Sequence, residues 1–168
     1  MLINYWCTQI HQTLENNIIR LHIVANSDSE YDRGIKLKVR DAVLELAGES
    51  GCTPTVAEIE KEANKLLLNE GAPYTASARS GKYYIDRRIY EGFILPRGVY
   101  TAARIELGNA MGKNWWCVLS PPLCFTKSAF GHTDELRKHL GQDAYTVVKH
   151  SKVTVKLKLL EIISALKN

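Results

Sequence analysis

The sequence predicts an α+β fold: a mainly antiparallel or mixed sheet, with two longer helices after the first strand packed on one face. Three observations predict it. A short β-branched run, "IIRLHIVAN" at 18–26, is followed by two stretches whose apolar residues recur at helical spacing. Beyond residue 74 the period becomes two, in strand-like runs separated by turn residues. Helices gathered between one early strand and several later ones are the α+β arrangement. A chain of 168 residues, 45% hydrophobic and 24% charged, can bury such a core without metal or disulfide staples.

Residues 1–17 read as an N-terminal arm, helical or loose, or as the remnant of an export segment. Residues 18–168 read as a single α+β domain. The run 18–26 is a buried strand that ends at Asn26-Ser27-Asp28. A helix follows, with Ser29 as N-cap and Asp32 three residues on. Ile35, Val39, Ala42, Val43 and Leu46 form its apolar stripe, and Gly48 and Gly51 end it. The second helix starts at Thr53-Pro54, or at a capping box of Thr55 and Glu58. Its stripe is Val56, Ile59, Ala63, Leu66 and Leu67; Gly71 and Pro73 stop it.

Residues 74–90 are predicted as two strands turning near Ser80-Gly81. In the next strand Val99, Thr101, Ala103, Ile105 and Leu107 share one face, and Tyr100, Ala102, Arg104 and Glu106 the other. The run "WWCVL" at 115–119 is apolar throughout, so it is read as buried on both sides. Pro121-Pro122 turns the chain, and Thr133 caps a short helix, "DELRKHL". The run "KVTVKLKLL" at 152–160 alternates as a half-exposed edge strand with its lysines outward, and a closing helix follows.

The net charge of +4 is mild and the basic residues are interspersed with acids, so nucleic acid is not an expected partner. No apolar run is long enough to span a bilayer. The first residues lack the basic start and apolar stretch of a secretory leader, which fits a cytosolic chain or a form without its export segment. Cysteines at 7, 52, 117 and 124 have no zinc spacing, and no cofactor motif is present. Aspartic-protease, nucleophile-elbow and Walker signatures are absent.

Several residues could carry chemistry. Cys117 could act as a nucleophile with His11, His22, His132, His139 or His150 as base, or be an inert thiol in an apolar run. His22 could join Asn26, Ser27 and Asp28 in a polar site where the strand meets the helix, or be a satisfied core histidine. The carboxylates of Asp28, Glu30 and Asp32 are accounted for by capping. Trp115 and Trp116 cannot point the same way in a strand: either one packs inside and the other faces a groove or solvent, or both are core aromatics with their N–H groups satisfied. Asn114, Trp115 and Trp116 form the candidate contact surface. Cys117 and Cys124, with Pro121-Pro122 between them, are a reactive pair or a disulfide.

Two blocks, "IIRLHIVANSDSEYDRGIKLKVRDAVLE" and "GVYTAARIELGNAMGKNWWCVLSPPLCF", closely resemble the stage II sporulation protein R family, over roughly residues 15–160. Ser120 stands where that family often has an aromatic residue. The resemblance implies a non-enzymatic signalling domain without cofactor, exported into the space between the forespore and mother-cell membranes. Its implied partner is a membrane-embedded aspartic protease of the mother cell, which cleaves the sigma-E precursor. An export segment is then expected at the N-terminus, and a location outside the cytosol would permit a disulfide between Cys117 and Cys124. Two other functions fit the residues: a cell-wall hydrolase using Cys117 or His22, and a non-catalytic module that contacts peptidoglycan or sugar through an exposed tryptophan.

Overall fold

A computed structural model describes residues 2–50, 53–90, 93–121 and 133–149. In chain order the elements are α1 (Leu2–Asn17), β1 (Ile19–Val24), α2 (Glu30–Ser50) and α3 (Val56–Asn69). There follow β2 (Ala76–Ile85), β3 (Arg88–Tyr90), β4 (Phe93–Leu95), β5 (Gly98–Leu107), β6 (Asn114–Ser120) and α4 (Thr133–Lys149). A four-stranded mixed sheet has the order β2-β5-β1-β6, and β3 and β4 form a separate pair. The class is α+β, as the sequence predicts.

The chain divides into two compact units: Met1–Ile19, Lys82–Thr101 and Thr126–Asn168 make one; Arg20–Gly81 and Ala102–Phe125 make the other. In the second unit β1 is an interior strand of the sheet, and its residues from Arg20 to Val24 are all buried with no alternation, the pattern of a strand covered on both faces. Helix α2 buries Ile35, Val39, Val43 and Ala47, and it packs on α3. Helix α3 buries Ile59, Ala63 and Leu67. It starts at the Thr55–Glu58 capping box: Thr55 Oγ1 accepts from Glu58 N, and the Glu58 carboxylate accepts from Thr55 N. Gly71, at φ 65°, closes it with a bond from its N–H to Leu68 O.

In the first unit α1 and α4 pack together, and α4 also meets β4. Strands β3 and β4 are antiparallel, with Ile89 opposite Ile94. Glu15 accepts from Val99 N at 2.9 Å and from His11 Nε2 at 2.9 Å, which fastens α1 to the start of β5. Gly98 lies against this contact, where a Cβ would stand 2.8 Å from His11 Cε1. The short helix expected after Thr133 is the first segment of α4. Gly141, at φ 73°, breaks the helix, and a second segment runs on to Lys149.

Three expectations need correction. Ser80-Gly81 is not a turn: β2 runs unbroken through it. This strand lies at the edge of the sheet and is mostly exposed, so Ser and Gly have no packing partner to satisfy and mimic a turn signal. Strand β5 does not keep one inward face. Tyr100 and Ala102 are buried in its first half and Ala103, Ile105 and Leu107 in its second, and the change of phase falls on two adjacent alanines small enough to be buried together. In β6 only Cys117, Val118 and Leu119 are buried, while both tryptophans are half-buried. The expected strand 152–160 and closing helix lie outside the described residues.

Val39 is fully buried. Val39→Asp places an unpaired carboxylate in the core and should destabilise the fold by about 3 kcal/mol or more. Thermal unfolding checks this; a melting curve like that of the unsubstituted protein would refute the assigned core face of α2.

Candidate functional site

The end of β1 and the loop between β5 and β6 are bound to each other. Gly112 N donates to Ala25 O at 2.9 Å and Met111 N to Asn26 O at 3.1 Å. Asn109 N donates to Asn26 Oδ1 at 2.9 Å, and Lys113 N to Asp28 Oδ1 at 2.7 Å. Contact is close enough to dictate glycine: a Cβ on Gly112 would lie 2.2 Å from Ser27 O. Gly108 combines φ 54° with a similar approach to Asn26.

Asp32 is the hub of this junction. Its carboxylate accepts from Asn26 Nδ2 at 2.9 Å, from the Ser27 hydroxyl and from the Tyr74 hydroxyl. The side chain of Ser29 meanwhile accepts from Asp32 N, the N-cap bond that the sequence predicts. Capping therefore does not account for the Asp32 carboxylate, which holds loops rather than a helix end. Burial pushes this carboxyl up, but the hydrogen bonds from Ser27, Tyr74, Asn26 and Ser29 outweigh it and hold it below its ordinary value. For Tyr74, burial and the bond to Asp32 push the phenol up.

Beside the junction lies an aromatic and cationic face. The rings of His22 and Trp116 stack at 3.7 Å with their planes 8° apart, and His22 Nε2 is 2.8 Å from Asn114 Oδ1. Strand alternation turns Trp115 the other way, where the Arg40 guanidinium stands 5.6 Å from its ring centre. The Lys36 ammonium belongs to a residue only 7% exposed and donates to Lys113 O at 2.7 Å. Burial pushes it below its ordinary value; the Asp28 carboxylate offsets this in part, and the Arg33 and Lys113 cations add to it. The fully buried Arg20 donates to Cys117 O at 2.9 Å and ties β1 to β6.

The structure thus brings His22, Asn114 and Trp116 into one contact, and joins Asn26, Ser27 and Asp28 to the loop before β6. Those three are engaged in holding the junction rather than in lining an open pocket. Cys117 is disulfide-bonded and so has no thiolate to offer. Cys124 and the expected Cys117–Cys124 pairing lie outside the described residues. Tyr74, Lys36 and Arg40 escape the sequence reading, in which Asp32 is only a capping acid. Asp32 resembles an ordinary helix-start acid, and Tyr74 is 42 residues away from it. Among the described residues no group of three or more His, Cys, Asp or Glu could hold a metal, and no helix is long and apolar enough to cross a membrane.

The stage II sporulation protein R family matches residues 15–129, which include every residue of this junction. The chain belongs to that family. Stage II sporulation protein R of Bacillus subtilis (strain 168) is 37% identical over 125 residues, which is 67% of this chain and 55% of the relative. The match thus spans about half of that relative's length. No solved structure matches. In this chain the "ANSDS" and "GNAMGKN" runs are the two sides of one bonded junction.

Asp32→Asn replaces one acceptor oxygen by a donor that faces other donors, and should cost about 1–3 kcal/mol in urea unfolding. A carboxyl held below its unfolded value stabilises the fold above that value, about 3.9, and the contribution disappears as pH falls through the lower folded value. The unsubstituted protein should therefore lose stability below about pH 4, and the Asn variant should lose less over the same window. Equal slopes would show that the carboxylate is not held as described.

Proposed function

We propose that this chain is a secreted sporulation signal that activates a membrane-embedded aspartic protease of the mother cell, leading to cleavage of the sigma-E precursor. The family match over residues 15–129 is the observation that carries this reading. The disulfide at Cys117 fits a site of action outside the cytosol. We take the contact surface to be Asn114 and Trp115 at the start of β6, backed by the junction of Asn26, Ser27 and Asp28. Asn114 is exposed and Trp115 half-buried, the exposure pattern of an aromatic anchor at a protein interface. His22 and Trp116 lie beneath and fix the position of Asn114.

The geometry argues against a hydrolase. His22 is 4% exposed, with Trp116 stacked on its ring and one nitrogen beside Asn114, so a substrate has no approach to it as a base. Activation then requires this surface to bind the receptor's active state more tightly than its resting state.

The test is reconstitution: the exported chain, the protease and the sigma-E precursor are expressed together and cleavage is measured. Trp115→Ala should lower processing by about tenfold or more, in keeping with the loss of an interface anchor, with little change in melting temperature. Full processing by this variant would refute the assigned surface.

A further inference from the structure

Helix α2 places Arg33, Lys36 and Arg40 at i, i+3 and i+7, a spacing that lines them along one face over about 10 Å. Lys36 and Arg40 of that line contact the segment Lys113–Trp115, through Lys113 O and the Trp115 ring. Lys113 adds a fourth cation, close enough with Arg33 to perturb Lys36. Arg40 is paired with Asp41. Arg33, Lys36 and Lys113 have no ion-pair partner among the described residues. The Asp28 carboxylate, which offsets part of the cost on Lys36, also accepts the Lys113 backbone N–H.

A nearly buried ammonium makes one side-chain hydrogen bond here, to Lys113 O, although it has three donors. Its burial is unfavourable for the charged form, and the neighbouring cations make it more so. An arriving anion relieves both costs. Successive side chains on one face of an extended peptide lie about 7 Å apart, so two carboxylates fit the length of the strip. We propose that this strip binds the carboxylates of an acidic, extended segment of the partner protein, with Trp115 packing against an apolar residue between them. The inference rests on the signalling reading and adds the chemistry of the partner's contact segment.

The test uses the full chain at low salt and three polyanionic probes: hexaglutamate, vesicles containing phosphatidylglycerol, and an oligothymidylate. Binding is followed by calorimetry and by tryptophan fluorescence, with hexalysine as the control of sign. Hexaglutamate should bind saturably, weaken as salt rises, and perturb a fluorescence signal that is lost in Trp115→Phe. The exposed pair Arg33→Glu/Lys113→Glu should weaken binding by about tenfold or more with an unchanged melting temperature. Lys36→Met, which keeps the aliphatic stem, should also weaken it; if that variant fails to fold, the exposed pair decides. Unchanged hexaglutamate affinity in the pair overturns the proposal, as does tighter binding to the vesicles or the oligonucleotide. In the cleavage assay, processing lost in Trp115→Ala but kept in the charge-reversed pair overturns the acidic partner alone. Processing kept in both overturns the surface itself.

Discussion

One carboxylate holds the junction of the second unit together. Asp32 sits in the first turn of α2, yet it receives bonds from the residues that end β1 and from Tyr74 beyond α3. A buried carboxylate is tolerable only when its oxygens are saturated with donors, and three side chains supply them. The same side chain of Asn26 that donates to Asp32 accepts from Asn109, so the hub reaches the β5–β6 loop through one intermediary. Removing the carboxylate therefore acts on a network rather than on a single bond.

This junction explains why the loop before β6 can be rich in glycine and still be placed accurately. Gly108 and Gly112 allow backbone to approach its neighbours closely, and the bonds from Asn109, Met111, Gly112 and Lys113 then fix it. Lys113 and Asn114 leave the loop as the first exposed residues at β6, with Trp115 and Trp116 alternating behind them. Trp116 is spent on His22 and Trp115 lies against Arg40. In the signalling role we propose, such rigidity favours binding, because little ordering remains to be done on contact.

Much of this was legible in the sequence, for identifiable reasons. The buried strand at 18–26, the apolar stripes of α2 and α3 and the Thr55 capping box are local patterns, and local physics decides them. The unusual "NWWCVL" run drew attention to a candidate contact segment, and alternation foretold that its two tryptophans would diverge. Strand β2 was misread because an exposed edge has no hydrophobic period to reveal it. The phase change falls at Ala102-Ala103, where β5 passes from one compact unit to the other, and two small adjacent alanines carry no periodicity that would announce it. Asp32 with Tyr74, and Lys36 with Lys113, are contacts of long separation between unremarkable residue types, and no local pattern announces them.

The account stands on the two loops behaving as one rigid piece. Amide hydrogen exchange tests this most directly, read at Met111, Gly112 and Lys113, whose N–H groups are held by Asn26 O, Ala25 O and Asp28. These three amides should be strongly protected, and all three should lose protection together in Tyr74→Phe, which removes one donor from Asp32. Exchange at the rate of an open loop in the unsubstituted protein, or unchanged protection in the variant, would contradict it.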